Sequence, residues 1–154
     1  MNVYGIEIGV NEGLTNFQLY DYVKKLQIPN FRGVFMADTL PVNPKQVECA
    51  IVNLNRSYEK GSHWVCYVKM DKKRIYFDSF GQDVPIEISR YLKTANEFKN
   101  KSTVIARNTD VVQRFNTHVC GHLCLVVLTS LMREHLTYQQ TIDFLIDGYT
   151  RNYW

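Results

Sequence analysis

With 154 residues, 45% of them apolar, 13% aromatic and 21% charged, the chain has the length for one buried core and a composition that excludes a disordered polypeptide. Its net charge of +3 is spread over separate runs such as Lys24-Lys25 and Lys72-Lys73-Arg74, which reads as solvated faces rather than a nucleic-acid footprint. The start, MNVYGIEIGVNEGL, lacks the basic and small-residue features of a secretory leader, and no apolar run approaches the roughly 18 residues of a membrane span, so secretion and membrane insertion are not expected.

In chain order, Thr15 or Asn16 can cap a first helix that carries Phe17, Leu19, Tyr20, Val23 and Leu26 at helical spacing, with Pro29 as its stop. Two short strands follow, Val34 to Ala37 and Glu48 to Leu54, the second rich in Ile, Val and Cys like a buried strand. Residues 62–80 read as a hairpin turning at Met70-Asp71. Alternation in both arms sets Trp64 opposite Phe77 and Cys66 opposite Ile75, and the same register puts Asp78 opposite His63.

Beyond Pro85, the segment IEISRYLKTA has amphipathic helical spacing and Thr103 to Ala106 reads as a strand. Cys120 then opens the most apolar element, in which Leu123, Cys124, Val127, Leu128 and Leu131 recur at helical spacing with Val126 beside them. That breadth implies a buried central helix. Thr137 and Gln140 form a capping box for a last helix through Leu145, which Gly148 can close. The order of elements predicts one α+β domain over residues 1–154, without repeats or linkers.

Four residues supply the parts of a thiol acyl-transfer site: Cys120 as nucleophile, His63 as base and then acid, Asp78 to orient the imidazole, and Gln113 to donate to an oxyanion. A cysteine at a helix N-terminus sits among free N–H groups that stabilise a thiolate, and Gly121 beside it allows a substrate to approach the backbone. Each residue also has a plainer reading. Cysteines in apolar elements are commonly core, which suits Cys49, Cys66 and Cys124; a strand histidine is often just a satisfied edge residue; Asp83 competes with Asp78; and Gln113 is singled out only by lying seven residues before Cys120. The string from His118 through Cys120 and His122 to Cys124 suggests zinc, but on a buried helix those ligands would face several directions, so no metal is assigned.

The runs CAIVN at 49–53, GSHW at 61–64 and YFDSFG at 76–81, with FRGVFMADTLP at 31–41 and the segment from Gln113 to Cys120-Gly121, resemble the adenovirus-type maturation proteases, the adenains, and their relatives in adenovirus-like DNA viruses and large viral transposons. The resemblance spans about residues 15–130. It implies the papain-related fold shared with SUMO proteases, a central mixed sheet with the nucleophile at the N-terminus of a buried helix, and the same four catalytic residues, Asp78 standing where adenain has a glutamate. It also implies cleavage of viral precursor proteins during virion maturation next to glycine, with Trp64 and Gly121 lining a narrow substrate channel. Polypeptide substrates, at most weak DNA binding, no membrane, a monomer, and a place in the virion and the infected cell, nucleus or cytoplasm, follow from it. Ser102 stands where adenain has the cysteine that bonds its activating peptide, and the chain stops about thirty residues after the nucleophile. Neither a disulfide-linked peptide nor DNA is therefore expected as an activator, and no cofactor is expected. The alternatives are an isopeptidase that removes ubiquitin-like modifiers after Gly-Gly and an inactive peptidase fold used for binding.

Overall fold

The computed structural model describes residues 1–55, 63–70, 72–93 and 104–154. A short ribbon of β1 (Asn2–Val3) and β2 (Ile6–Glu7) precedes α1 (Asn16–Leu26), β3 (Phe31–Met36), β4 (Glu48–Asn53), β5 (Trp64–Met70) and β6 (Lys73–Phe77). Then come α2 (Ile86–Lys93), β7 (Ala106–Arg107), α3 (Cys120–Leu128), a π-helical turn over Thr129–Arg133, and α4 (Tyr138–Thr150). Strands β3 to β7 lie side by side in chain order, with β3–β4 and β6–β7 parallel and the two central pairings antiparallel, so the sheet is mixed. Ser102 and the start of the expected strand at Thr103 fall outside the described residues.

Both faces of the sheet are covered, which explains why its central strands read as continuous apolar runs. Cys49, Ile51, Cys66, Val68, Ile75 and Phe77 face α1 and α3, whereas Ala50, Val52, Val65, Tyr67 and Tyr76 lie under Ile88, Tyr91 and Leu92 of α2. One buried carboxylate, Glu48, begins β4 and is satisfied by the hydroxyls of Tyr67 at 2.6 Å and Tyr91 at 2.7 Å and by Arg32 at 3.2 Å. The open edge of β3 is blunted, because Tyr20 and Thr39 side chains accept from the N–H groups of Val34 and Met36.

The helices follow their local signals with two corrections. Thr15 caps α1 through a capping box with Gln18, but the helix ends at Leu26 with Gln27 in the left-handed region, ahead of Pro29. Thr137 and Gln140 form the expected capping box of α4, yet Gly148 lies inside that helix rather than closing it. Its missing side chain makes room for the Trp154 ring, which an added Cβ would approach to 1.9 Å.

The β5–β6 hairpin pairs Cys66 with Phe77, Val68 with Ile75 and Met70 with Lys73. The expected pairing of Trp64 with Phe77 and Cys66 with Ile75 is therefore two residues out. A shift of two preserves which face each side chain occupies, so the packing of the apolar residues cannot tell the two registers apart. In the observed register His63 and Asp78 are diagonal neighbours on one face instead of a directly opposed pair.

Just past Asp78 the chain turns at Gly81, whose N–H donates to Asp78 O at 2.8 Å. Gly81 has φ +65°, and an added Cβ would lie 2.5 Å from Thr109 O, so this turn presses directly on the loop that leads to Gln113. Gly81→Ala is expected to cost about 1–3 kcal/mol, from backbone strain and overpacking together. A urea-unfolding midpoint equal to wild type would contradict this.

Candidate active site

His63 immediately precedes β5 and Asp78 immediately follows β6, so the central hairpin presents both from the same end of the sheet. His63 Nε2–H donates to Asp78 Oδ1 at 2.8 Å, and the same oxygen accepts from Phe80 N–H at 2.9 Å. Asp78 is buried, and Asn108 clamps its backbone: Asp78 N–H donates to Asn108 Oδ1 at 3.1 Å, while Asn108 Nδ2 donates to Asp78 O at 2.6 Å. Asp83, the competing candidate, is instead an exposed partner of Arg107 at 2.8 Å. The Phe80 ring lies against the imidazole with centroids 5.1 Å apart.

Cys120 is the first residue of α3, all nine residues of which are buried. Val119 provides no side-chain cap, and the first helical bond runs from Leu123 N–H to Val119 O, so the N–H groups of Cys120, Gly121 and His122 have no partner within the helix. They supply the positive end of the helix dipole beside the thiol. Trp64 N–H donates to Cys120 Sγ at 3.4 Å, and the thiol is also hydrogen-bonded to His63 and to Gly121 N–H. With Nε2 held by Asp78, the His63 nitrogen left for the sulfur is Nδ1.

These contacts set the charges. Burial pushes the Cys120 thiol up, but His63 and the N–H groups of Trp64 and Gly121 outweigh it and hold the thiol below its ordinary range. Burial pulls His63 down, but Asp78 and Cys120 together raise it to about 9. Each partner thus favours the charged form of the other. The histidine within α3, His122, is buried, donates Nε2–H to Gly9 O at 2.6 Å, and is held below its ordinary value chiefly by burial, hence neutral. Cys49 and Cys124 are buried thiols raised above theirs, first by burial.

Gln113 is buried and shares with Cys120, His63 and Trp64 the lining of a cleft of about 600 Å³. The other walls come from Leu14 and Thr15 before α1, from Val34 to Met36 of β3, from Phe80, and from Thr117 and His118. Among the described lining residues there is no Lys, Arg, Asp or Glu. The indole of Trp64 is fixed by donation to Leu14 O at 2.9 Å. Gly121 lies behind the cleft rather than in its lining: an added Cβ would meet Trp64 Cδ1 at 3.2 Å and Leu19 Cδ2 at 3.4 Å, so here the glycine sets how closely α3 approaches β5.

The four residues singled out from sequence therefore converge at one end of the sheet. Asn108, Ser79 and Phe80 belong to the same arrangement and carry no periodic signal. Only the position of Ser79 and Phe80 in the run YFDSFG marks them.

The family model of the adenovirus endoprotease matches residues 31–151. Among solved structures, the crystal structure of the ASFV pS273R protease superposes with a TM-score of 0.59 at 17% identity, over 90% of this chain and 66% of that one. The selenomethionine form of the same ASFV protease gives a TM-score of 0.56 at 17% identity, over 90% and 67%. At that identity the likeness shows the fold, and the chain spans about two thirds of the length of these structures. A search of curated proteins by sequence found no match.

Alkylation by iodoacetamide reads the thiolate directly. Because the folded site lowers the Cys120 pKa, its reactivity should already be high near neutral pH, where an ordinary thiol with pKa ~8.5 is a few per cent ionised. His63→Ala removes the largest lowering contribution and leaves the burial that raises the pKa, so the onset of alkylation should move to higher pH. An unchanged pH profile in that variant would show that the imidazole does not hold the thiolate.

Proposed function

The chain belongs to the adenovirus endoprotease family of cysteine proteases, and we propose that it is an endopeptidase that cleaves viral precursor proteins of the capsid or core during virion maturation, next to glycine. The observation that carries this reading is the chain of contacts from Asp78 through His63 to the Cys120 sulfur at the uncapped start of a buried helix. The thiolate attacks the peptide carbonyl, and the oxyanion that forms is met by Gln113 Nε2–H and the backbone N–H of Cys120. The His63 imidazolium gives its proton to the departing amine, and the acyl-enzyme is then hydrolysed by a water that His63 deprotonates. Asp78 keeps Nε2 protonated and leaves Nδ1 facing the sulfur.

A cleft walled by Trp64, Leu14, Phe80 and Val34, with no Lys, Arg, Asp or Glu among its described lining residues, suits an extended, uncharged stretch of polypeptide with small residues where it passes Trp64. The same reading takes no cofactor, no disulfide-linked activating peptide, weak DNA binding at most, and a monomer acting in the virion and infected cell. Among the described residues no helix is long and apolar enough to cross a membrane.

A peptide library incubated with the protein and read by mass spectrometry tests this directly. Cuts next to glycine are expected, absent with Cys120→Ala, and cleavage only after a Gly-Gly terminus of a ubiquitin-like protein would replace this reading with the isopeptidase one. His63→Ala should lose roughly 10²–10⁴-fold in rate. The rate should rise as Cys120 ionises and fall as His63 loses its proton at about pH 9. Since Asp78 raises the His63 pKa, Asp78→Asn should bring that alkaline limb to lower pH and slow turnover by about 10–10³-fold. An Asp78→Asn enzyme with the wild-type rate and alkaline limb would remove Asp78 from the mechanism.

A further inference from the structure

Gln113 stabilises an oxyanion only if its amide is held with nitrogen, not oxygen, toward the reacting carbonyl. Two bonds settle this. Gln113 Nε2 donates to Thr117 O at 3.0 Å, and because a carbonyl oxygen can only accept, the amide nitrogen must lie on that side. On the other side Gln113 Oε1 accepts from Ser79 Oγ at 2.6 Å. One of the two N–H bonds on Nε2 is thereby committed, and among the described residues no other group is bonded to that nitrogen. The free N–H belongs to a side chain that lines the cleft beside Cys120.

We propose that Ser79 is the positioning residue of this site, its hydroxyl locking Gln113 so that one amide N–H is presented to the oxyanion. This rests on the reading of Gln113 as oxyanion donor. Ser79 is fully buried, with no water-facing surface to compete for its hydroxyl, and its own carbonyl accepts from Val112 N–H at 2.8 Å, which fixes the loop carrying Gln113 alongside. Donation to Oε1 also polarises the amide and makes its remaining N–H a better donor. Asp78 and Ser79 are neighbours in the chain, so one turn after β6 orients both the imidazole and the oxyanion donor. Without the hydroxyl, Oε1 would be buried with no donor, and the side chain would gain by rotating away from the productive arrangement.

Two probes of Cys120 separate this role from general support. p-Nitrophenyl acetate acylates the thiolate through a tetrahedral oxyanion, forming a thioester and releasing p-nitrophenolate, whereas iodoacetamide alkylates the same sulfur by displacing iodide with no oxyanion. Loss of an oxyanion donor costs about 10²–10³-fold, so Gln113→Ala should slow acylation by that order and Ser79→Ala by at least about tenfold. Alkylation of the Cys120 peptide, followed by mass spectrometry, should stay within about twofold in both, since each probe meets the same thiolate. In a Gln113→Ala background, Ser79→Ala should slow acylation no further. Should Ser79→Ala fail to fold, Ser79→Cys, which keeps an atom in place but only a weak donor, is expected to show the same selective loss. If Gln113→Ala acylates at the wild-type rate, the oxyanion reading itself fails. If Gln113→Ala is slow while the folded Ser79 variant is not, or if Ser79 loss slows alkylation equally, the positioning role is overturned.

Discussion

The close seating of α3 on β5 is the constraint from which the rest follows. The nucleophile belongs to a helix and its base to a strand margin, and Gly121 lets that helix sit close to Trp64 and Leu19, which an added Cβ would approach to 3.2 and 3.4 Å. An entirely buried helix has little freedom to slide, since every turn is packed against sheet or neighbouring helix. The distance between sulfur and imidazole is therefore a property of the core rather than of a loop. The same seating brings Trp64 N–H onto the sulfur, so one residue serves as spacer, wall and donor.

On that mechanical base stands an electrostatic arrangement that would be costly anywhere else. The charged forms of Cys120 and His63 are both favoured away from bulk water, a situation that burial alone opposes for each of them. It persists because the stabilising groups are fixed in advance: the helix N-terminus, two backbone N–H groups, and a carboxylate that Phe80 and Asn108 hold in place. The sheet's far face carries a separate polar cluster around Glu48, satisfied by two tyrosines and Arg32, with no member in the cleft.

Much of this was legible in the residues. The breadth of the apolar pattern after Cys120 marks a buried helix, and the structure buries it completely. Alternation in the hairpin places Asp78 and His63 on one face, and their side chains do meet. It does not reveal the register, because a shift by two residues leaves every face unchanged. The ribbon of β1 and β2 is too short to show a period. Ser79 and Asn108 stayed hidden for another reason: a polar side chain reveals its partner only when the fold brings two distant loops together, as it does Asp78 with Asn108 and Ser79 with Gln113. Glycine commonly terminates a helix, but Gly148 lies inside α4 and is the seat of an aromatic ring.

That seat has an optical consequence. The chain contains two tryptophans, one in the wall of the cleft and one bonded to the loop that carries Gln113. Trp64 lines it, while Trp154 rests on α4, donates to Val112 O at 2.8 Å and is met at its own carbonyl by Arg114, the two residues that flank Gln113. Indole emission in this protein is therefore a local signal weighted to the cleft and its loop, and not an average over the core. With Trp154 replaced by phenylalanine, the residual emission comes from a single chromophore one residue from the imidazole, which makes occupancy of the cleft readable by light without an attached dye.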